Sequence, residues 1–244
     1  MILLRSLIYF FAMVISVLVY GLAIVVPGWF LPVGYADGLA SRWGRLNLWL
    51  QRVICGLEVN VVGLENLPDT GPCIVMSKHQ SAWETIALRG LLRPDQSWVL
   101  KRELTRIPIF GLGLRLAQAI PIDRSAGRRA VLTLVEDGLA RLEQGRSVII
   151  FPEGTRTAPG ERRKYGLGGA VLAQRSGVPV VPIAHNAGVF WRRRGVKKYP
   201  GTIQMRIGPP IPSVGKKAAA IMAEVEGWIE ANQLELPSQA DNGK

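Results

Sequence analysis

Hydrophobic patterning divides the chain into an apolar beginning and a longer alternating body. No charged residue occurs between Ser6 and Ala36, and residues 7–26 are almost continuously Leu, Ile, Val, Phe, Ala, Met and Tyr. At roughly 1.5 Å of rise per residue, about twenty such residues cover the roughly 30 Å hydrocarbon core of a bilayer. Only Arg5 precedes the run and no small-x-small cleavage site follows it, so a retained helix is predicted rather than a cleaved signal peptide. Pro27, Gly28 and Pro32 end that helix. A second pattern fills residues 37–57, where Leu39, Trp43, Leu46, Leu50, Val53 and Leu57 recur at helical spacing and Arg42, Arg45 and Arg52 share another face. Tryptophan and arginine on one amphipathic helix suit a bilayer interface, where rings and guanidinium groups sit at headgroup level. Whether residues 7–26 cross the bilayer, or dip in and return with the second helix, stays open at this point.

Beyond Glu58 short β-branched runs alternate with helical patterns. Residues 59–62, 73–76, 97–100, 119–122, 147–151, 180–183 and 202–207 read as strands, and residues 84–92, 127–143, 167–175 and 216–229 as helices. That order predicts an α/β fold with a mixed, largely parallel sheet flanked by helices, preceded by a hydrophobic, membrane-anchoring helical segment. The boundaries follow: membrane-anchoring helices over 1–57, an α/β domain over 58–236 and a polar tail over 237–244.

Composition narrows the class. The 244 residues are 48% hydrophobic and carry a net charge of +12, with a mean hydropathy of +0.20, which excludes disorder. Two cysteines and two histidines exclude a disulfide framework and make a Cys/His metal site a poor expectation. The first sixty residues hold only +2, leaving +10 for the body, so the positive-inside rule puts the body on the cytoplasmic side. Residues 191–198, Trp-Arg-Arg-Arg-Gly-Val-Lys-Lys, form the most basic run. Beside an apolar anchor, such a run suits anionic lipid headgroups better than nucleic acid.

Any imidazole base must be His79 or His185. His79 follows a strand and precedes a helix, in Met76-Ser-Lys-His-Gln-Ser-Ala-Trp-Glu84. Five positions on a continuous helix would set His79 and Glu84 about 140° apart, so they meet only if the chain turns between them. Ser81-Ala-Trp-Glu84 matches the capping box that supplies such a turn. Glu84 therefore has two compatible readings: bonding the Ser81 amide, and holding His79 so that its ring acts as a general base. A second constellation is Phe151-Pro-Glu-Gly-Thr-Arg156, where Gly154 permits close backbone approach, Thr155 offers a hydroxyl and Arg156 can grip a phosphate through two N–H groups. Ile120-Pro-Ile-Asp-Arg124 and Lys101-Arg102 also follow strands, so three strand ends carry cations, and strand ends of an α/β sheet converge on one crevice. Ser81 and Cys73 are weaker nucleophile candidates for an acyl-enzyme route. His185 is read either as a residue of the same cleft or as a satisfied core histidine.

Taken in order, His79-Gln-Ser-Ala-Trp-Glu84, Lys101-Arg-Glu-Leu, Ile120-Pro-Ile-Asp-Arg124, Phe151-Pro-Glu-Gly-Thr-Arg156 and Val178-Pro-Val-Val-Pro-Ile-Ala184 resemble the glycerolipid acyltransferases, closest to bacterial 1-acylglycerol-3-phosphate acyltransferases. The resemblance implies transfer of an acyl chain from an acyl carrier protein or coenzyme A thioester to the 2-hydroxyl of lysophosphatidic acid, giving phosphatidic acid at the bacterial inner membrane. It implies no resident cofactor or metal, with the thioester a substrate. His79 and Glu84 would be catalytic. Arg124, Glu153, Gly154, Thr155 and Arg156 would form the acceptor-phosphate motifs with Lys101 beside them, and Glu153 would orient Arg156 or Arg124. The family usually has Asp where this chain has Glu84, and a glutamate reaches one methylene further. Two alternatives are carried: another lysolipid acceptor such as lyso-ornithine lipid, and a non-catalytic module that binds anionic lipid.

Overall fold

The computed structural model describes residues 1–237, so the predicted polar tail lies outside the described residues apart from Pro237. Helix α1 (Ile2–Gly28) leads into α2 (Val33–Leu50), which ends in a π-helical turn at Gln51–Cys55. There follow β1 (Leu57–Val62), β2 (Ile74–Ser77), α3 (Trp83–Leu91), β3 (Gln96–Lys101), a 3-10 segment at Arg102–Arg106, α4 (Phe110–Leu116), β4 (Ile120–Ile122), α5 (Arg128–Glu143), β5 (Ser147–Ile150), α6 (Gly168–Ser176), β6 (Val180–His185), α7 (Ala187–Phe190), β7 (Gly201–Ile207) and α8 (Ala218–Glu235). The seven strands and four body helices expected from patterning are all present. Helices α4 and α7 were not expected: α4 carries two glycines in seven residues and α7 has only four residues, too short for a helical period to register.

The sheet runs in the order β1-β7-β6-β2-β5-β3-β4. From β6 to β4 all neighbours are parallel, whereas β7 is antiparallel to β6 and parallel to β1. Alternation along the strands supplies both faces with core. Val75 and Ile149 face Trp83, Ile86 and Leu88, while Ile74, Met76, Val148 and Ile150 face Leu134, Leu172 and Val225.

The first two helices form a hairpin with a polar seam. Gln51 Nε2 donates to the Tyr9 hydroxyl at 2.8 Å, Trp43 Nε1 and Asn47 Nδ2 both donate to Ser16 Oγ at 3.1 Å, and the Tyr35 hydroxyl donates to the Ala23 carbonyl at 3.2 Å. Helix α2 then lies against α3 at a glycine contact, where a Cβ on Gly44 would stand 2.5 Å from the Gly90 nitrogen. The start of α1 is docked separately: Lys198 donates its backbone N–H to Ser6 Oγ, and its ammonium is caged by the rings of Trp191, Tyr9 and Phe10.

A buried ion pair fastens this hairpin to the sheet. Asp37 Oδ2 and Oδ1 receive Arg146 Nη1 and Nη2 at 2.5 and 2.9 Å, and the same guanidinium donates to Ser97 Oγ and the Gln96 carbonyl. Removing one member of a buried pair leaves the other charge uncompensated. Asp37→Ala is therefore expected to lower unfolding stability by about 3–5 kcal/mol, measured by denaturant unfolding in detergent micelles; a change within error of zero would refute the fastening role.

Candidate active site

The loop between β2 and α3 carries His79, and its conformation is dictated by two buried carboxylates. Glu84, in the first turn of α3, is fully buried. Its Oε1 lies 2.7 Å from His79 Nδ1 and accepts the N–H groups of Gln80 and Ser81 at 2.9 and 2.8 Å. Ser81 Oγ in turn accepts the Trp83 N–H at 3.2 Å. Glu84 thus bonds the Ser81 amide and holds the imidazole at once, the two readings that the capping box left open. Burial pushes the Glu84 carboxyl upward, but the His79 hydrogen bond, the nearby His185 and the Ser81 N–H outweigh it and hold the group below the ordinary glutamate value. An ionised Glu84 can only accept, so His79 donates from Nδ1, and in the neutral ring of that tautomer Nε2 holds the lone pair.

Glu153 grips the same loop from the β5 side. Its Oε2 accepts the His79 backbone N–H at 2.7 Å, and its Oε1 receives Lys78 Nζ at 2.7 Å and Thr157 Oγ1 at 3.0 Å. Thr157 N donates to the His79 carbonyl at 2.8 Å. The expectation that Glu153 orients Arg156 or Arg124 is corrected here. Its carboxylate turns inward beneath the loop, because the buried Lys78 ammonium and a backbone N–H are stronger partners there than an exposed guanidinium. Phe151 completes the seat, stacking on the imidazole with centroids 4.1 Å apart and planes 15° apart.

The remaining predicted residues gather at the carboxyl ends of neighbouring strands. A cavity of about 540 Å³ is lined by His79, Lys101, Arg124, Thr155 and Arg156. Gly154, in the left-handed conformation with φ +67° that favours glycine, lines an adjoining cavity of about 470 Å³ shared with Arg124 and Thr155. Arg124 Nη1 donates to the Gly154 carbonyl, joining the strand end after β4 to that after β5.

Other candidates fall elsewhere. Cys73 is buried at the opposite end of β2, beside Ser147, and burial raises its thiol pKa. His185 is a buried support: its Nε2–H donates to the Lys78 carbonyl at 2.9 Å, and burial depresses its pKa. The basic run divides. Lys198 and Trp191 are buried in the aromatic cage and do not belong to the cationic surface expected of residues 191–198, whereas Arg193 and Arg194 line the cavity with His79. Sequence reasoning missed Lys78 and Thr157, which flank the two motifs, and Arg89, whose guanidinium lies 5.0 Å from the Trp98 ring on the cavity wall. Lys78 and Thr157 had adjacency to a motif as their only signal; Arg89 had none.

Comparison with known proteins gives a consistent picture. The sequence model of the Acyltransferase family matches residues 58–186. A 1-acyl-sn-glycerol-3-phosphate acyltransferase of Pseudomonas aeruginosa is 45% identical over 201 residues, covering 81% of this chain and 77% of that protein. The human 1-acyl-sn-glycerol-3-phosphate acyltransferase alpha is 32% identical over 172 residues, covering 70% of this chain and 61% of that protein. The crystal structure of the Thermotoga maritima 1-acyl-sn-glycerophosphate (LPA) acyltransferase, PlsC, shares the fold with a TM-score of 0.77, at 20% identity over 97% of this chain and 98% of that one.

The depressed Glu84 carboxyl makes a pH prediction. The unfolded chain binds this proton more tightly than the folded one, so the stabilisation is complete above the ordinary value of 4.5 and is lost as pH falls through the folded value. The stability difference between the wild-type protein and Glu84→Gln should be largest at pH 5.5 and should narrow below about pH 4.5. Urea unfolding across that range checks it, and a difference independent of pH would contradict it.

Proposed function

The chain belongs to the acyltransferase family, and from that premise we propose that it moves a fatty acyl chain from an acyl thioester to the 2-hydroxyl of 1-acylglycerol-3-phosphate, giving phosphatidic acid. The observation that carries this reading is the 2.7 Å contact between His79 Nδ1 and the buried Glu84, set in a cavity whose rim holds Lys101, Arg124 and Arg156. The cations of that rim suit the acceptor's phosphate, and an Arg fork matches phosphate oxygens in bidentate fashion.

His79 Nε2 takes the hydroxyl proton as the glycerol oxygen attacks the thioester carbonyl carbon. The tetrahedral intermediate collapses with cleavage of the carbon–sulfur bond, and the imidazolium returns the proton to the departing thiolate. Glu84 holds the ring in the required tautomer and stabilises the imidazolium between those steps. The sequence needs no resident cofactor, because the acyl carrier protein or coenzyme A thioester is itself a substrate. The +12 chain offers a favourable surface to either anionic donor.

We further infer that the protein works at the cytoplasmic face of the bacterial inner membrane. Helix α1 has a mean hydropathy of 2.5 over its most apolar window, with 17% of that window buried. Its start is tied to Lys198 and its end packs on α4, where a Cβ on Gly28 would stand 2.9 Å from a Leu116 methyl. A helix held by the same globular domain at both ends is better suited to lying within one leaflet than to threading both, and the exposed Arg192, Arg193 and Arg194 suit that leaflet's anionic headgroups.

Purified protein incubated with acyl carrier protein and coenzyme A thioesters and a panel of lysolipids, including lyso-ornithine lipid, should consume lysophosphatidic acid, read by mass spectrometry. Consumption of another lysolipid alone would transfer the reading to that acceptor. His79→Ala is expected to reduce acyl transfer by about 10²- to 10⁴-fold while vesicle binding persists; retained transfer would eliminate the general-base assignment. Joint replacement Arg192→Gln, Arg193→Gln and Arg194→Gln should weaken sedimentation with phosphatidylglycerol vesicles about tenfold or more, and neutral vesicles should show no such change.

A further inference from the structure

The segment between β3 and β4 exposes three large apolar side chains, of which Leu104 and Phe110 line the cavity with His79 and Ile107 does not. Leu104, Ile107 and Phe110 are 37%, 46% and 38% exposed. They alternate with Arg102 and Arg106, and Arg115 is exposed on the following helix. Apolar side chains projecting beside arginines have the composition of an interfacial membrane element.

Position relative to α1 selects the partner. Helix α4 crosses α1 at its glycines, where a Cβ on Gly21 would stand 2.9 Å from Ile109 Cγ2. Ile109 itself has φ +61°, a region costly for a β-branched residue, so the chain is held in an unfavourable conformation to keep this crossing. The free side of α1 near the crossing exposes Val19, Leu22 and Val26 at 58%, 47% and 70%. The 102–116 segment and the anchor helix it packs against therefore both leave large apolar side chains exposed.

The segment is also a wall of the catalytic cavity. Leu104, Phe110 and Leu114 line the cavity that contains His79, and Phe110 and Leu114 with Trp43 and Arg89 also line a smaller apolar cavity of about 110 Å³ against α1. Leu104, Phe110 and Leu114 thus border the cavity that holds the imidazole, while the exposed Ile107 lines neither cavity.

We propose that the 102–116 segment is a second bilayer-contacting element, seated in the headgroup and upper hydrocarbon region of the membrane that holds α1, and that the single-tailed acceptor passes from the bilayer to His79 along it. This rests on the lysolipid acyl-transfer reading above. Ile107 is its outward contact, Phe110 and Leu114 its inner wall, and the flanking arginines fix its depth at the headgroups.

Two variants of the full chain test it. Cys55 and Cys73 are buried, so Ile107→Cys can be labelled selectively with an environment-sensitive fluorophore, with the unsubstituted protein as the labelling control. On vesicles of phosphatidylcholine and phosphatidylglycerol the probe should shift to the blue and be quenched by doxyl-labelled lipid; a spectrum unchanged by vesicles would overturn bilayer contact. Ile107→Asp puts a charge at that depth without touching the cavity lining. It should raise KM for long-chain lysophosphatidic acid in vesicles about tenfold while leaving turnover of a short-chain, monomerically dissolved acceptor as in the wild type. Equal loss on both acceptors, or none on the vesicle substrate, would overturn the entry route. Should the wild-type protein turn over neither acceptor, the acyl-transfer reading and the entry route built on it would fall, and the fluorescence result would decide bilayer contact by itself.

Discussion

Two carboxylates withdrawn from water hold the His79 loop, and the rest of the site depends on their being satisfied there. An unpaired buried carboxylate is prohibitively costly, so the backbone has to bring donors to it. Glu84 receives two loop N–H groups and the imidazole, and Glu153 receives the next N–H, an ammonium and a hydroxyl. Each residue of the loop is consequently fixed through its backbone, and the ring orientation follows with no freedom left to pay for at the moment of reaction. The supporting shell is buried too: Lys78 also meets Glu230 at 2.8 Å, and His185 holds the Lys78 carbonyl.

The same logic of satisfied burial binds the apolar hairpin to the catalytic domain. Asp37 and Arg146 join α2 to the foot of β5, the Gly44 and Gly90 contact lets α2 and α3 touch backbone to backbone, and α3 carries Glu84. The hairpin, the loop and the imidazole are therefore parts of one packed unit. A membrane surface that receives α1 would set the height of the His79 ring above it, since no flexible linker intervenes between α2 and the sheet.

Much of this was legible in the residues. Strands announced themselves because a parallel sheet buried on both faces needs near-continuous β-branched runs, as in Ser147–Ile150 and Val180–His185. The pairing of His79 with Glu84 was readable because a capping box forces the turn that brings them together. What could not be read was the direction of Glu153. A carboxylate between Pro152 and Gly154 has no periodicity to place it, and only the fold brings Lys78 and the His79 amide beneath it. Lys198 was misjudged for a related reason: in a run of cations it looks solvated, yet Tyr9 and Phe10 of the distant α1 join Trp191 of its own run to enclose it. The order of β7 and β1, which reverses the sheet's direction at one edge, likewise depends on long-range pairing with no local signature.

The glutamate at position 84 has a structural consequence. Its Oε1 stands within 2.9 Å of the His79 ring nitrogen and two backbone nitrogens together, reached from the first turn of α3. An aspartate on the same backbone has a side chain shorter by one carbon–carbon bond, about 1.5 Å, so its carboxylate could not take the position from which Glu84 reaches all three partners. The loop would have to settle toward the helix to recover them, but its His79 N–H and carbonyl are held on the other side by Glu153 and Thr157. Loop height and side-chain length are thus matched: the extra methylene compensates for a loop suspended between α3 and the β5 end, and the ring it presents is set by that balance.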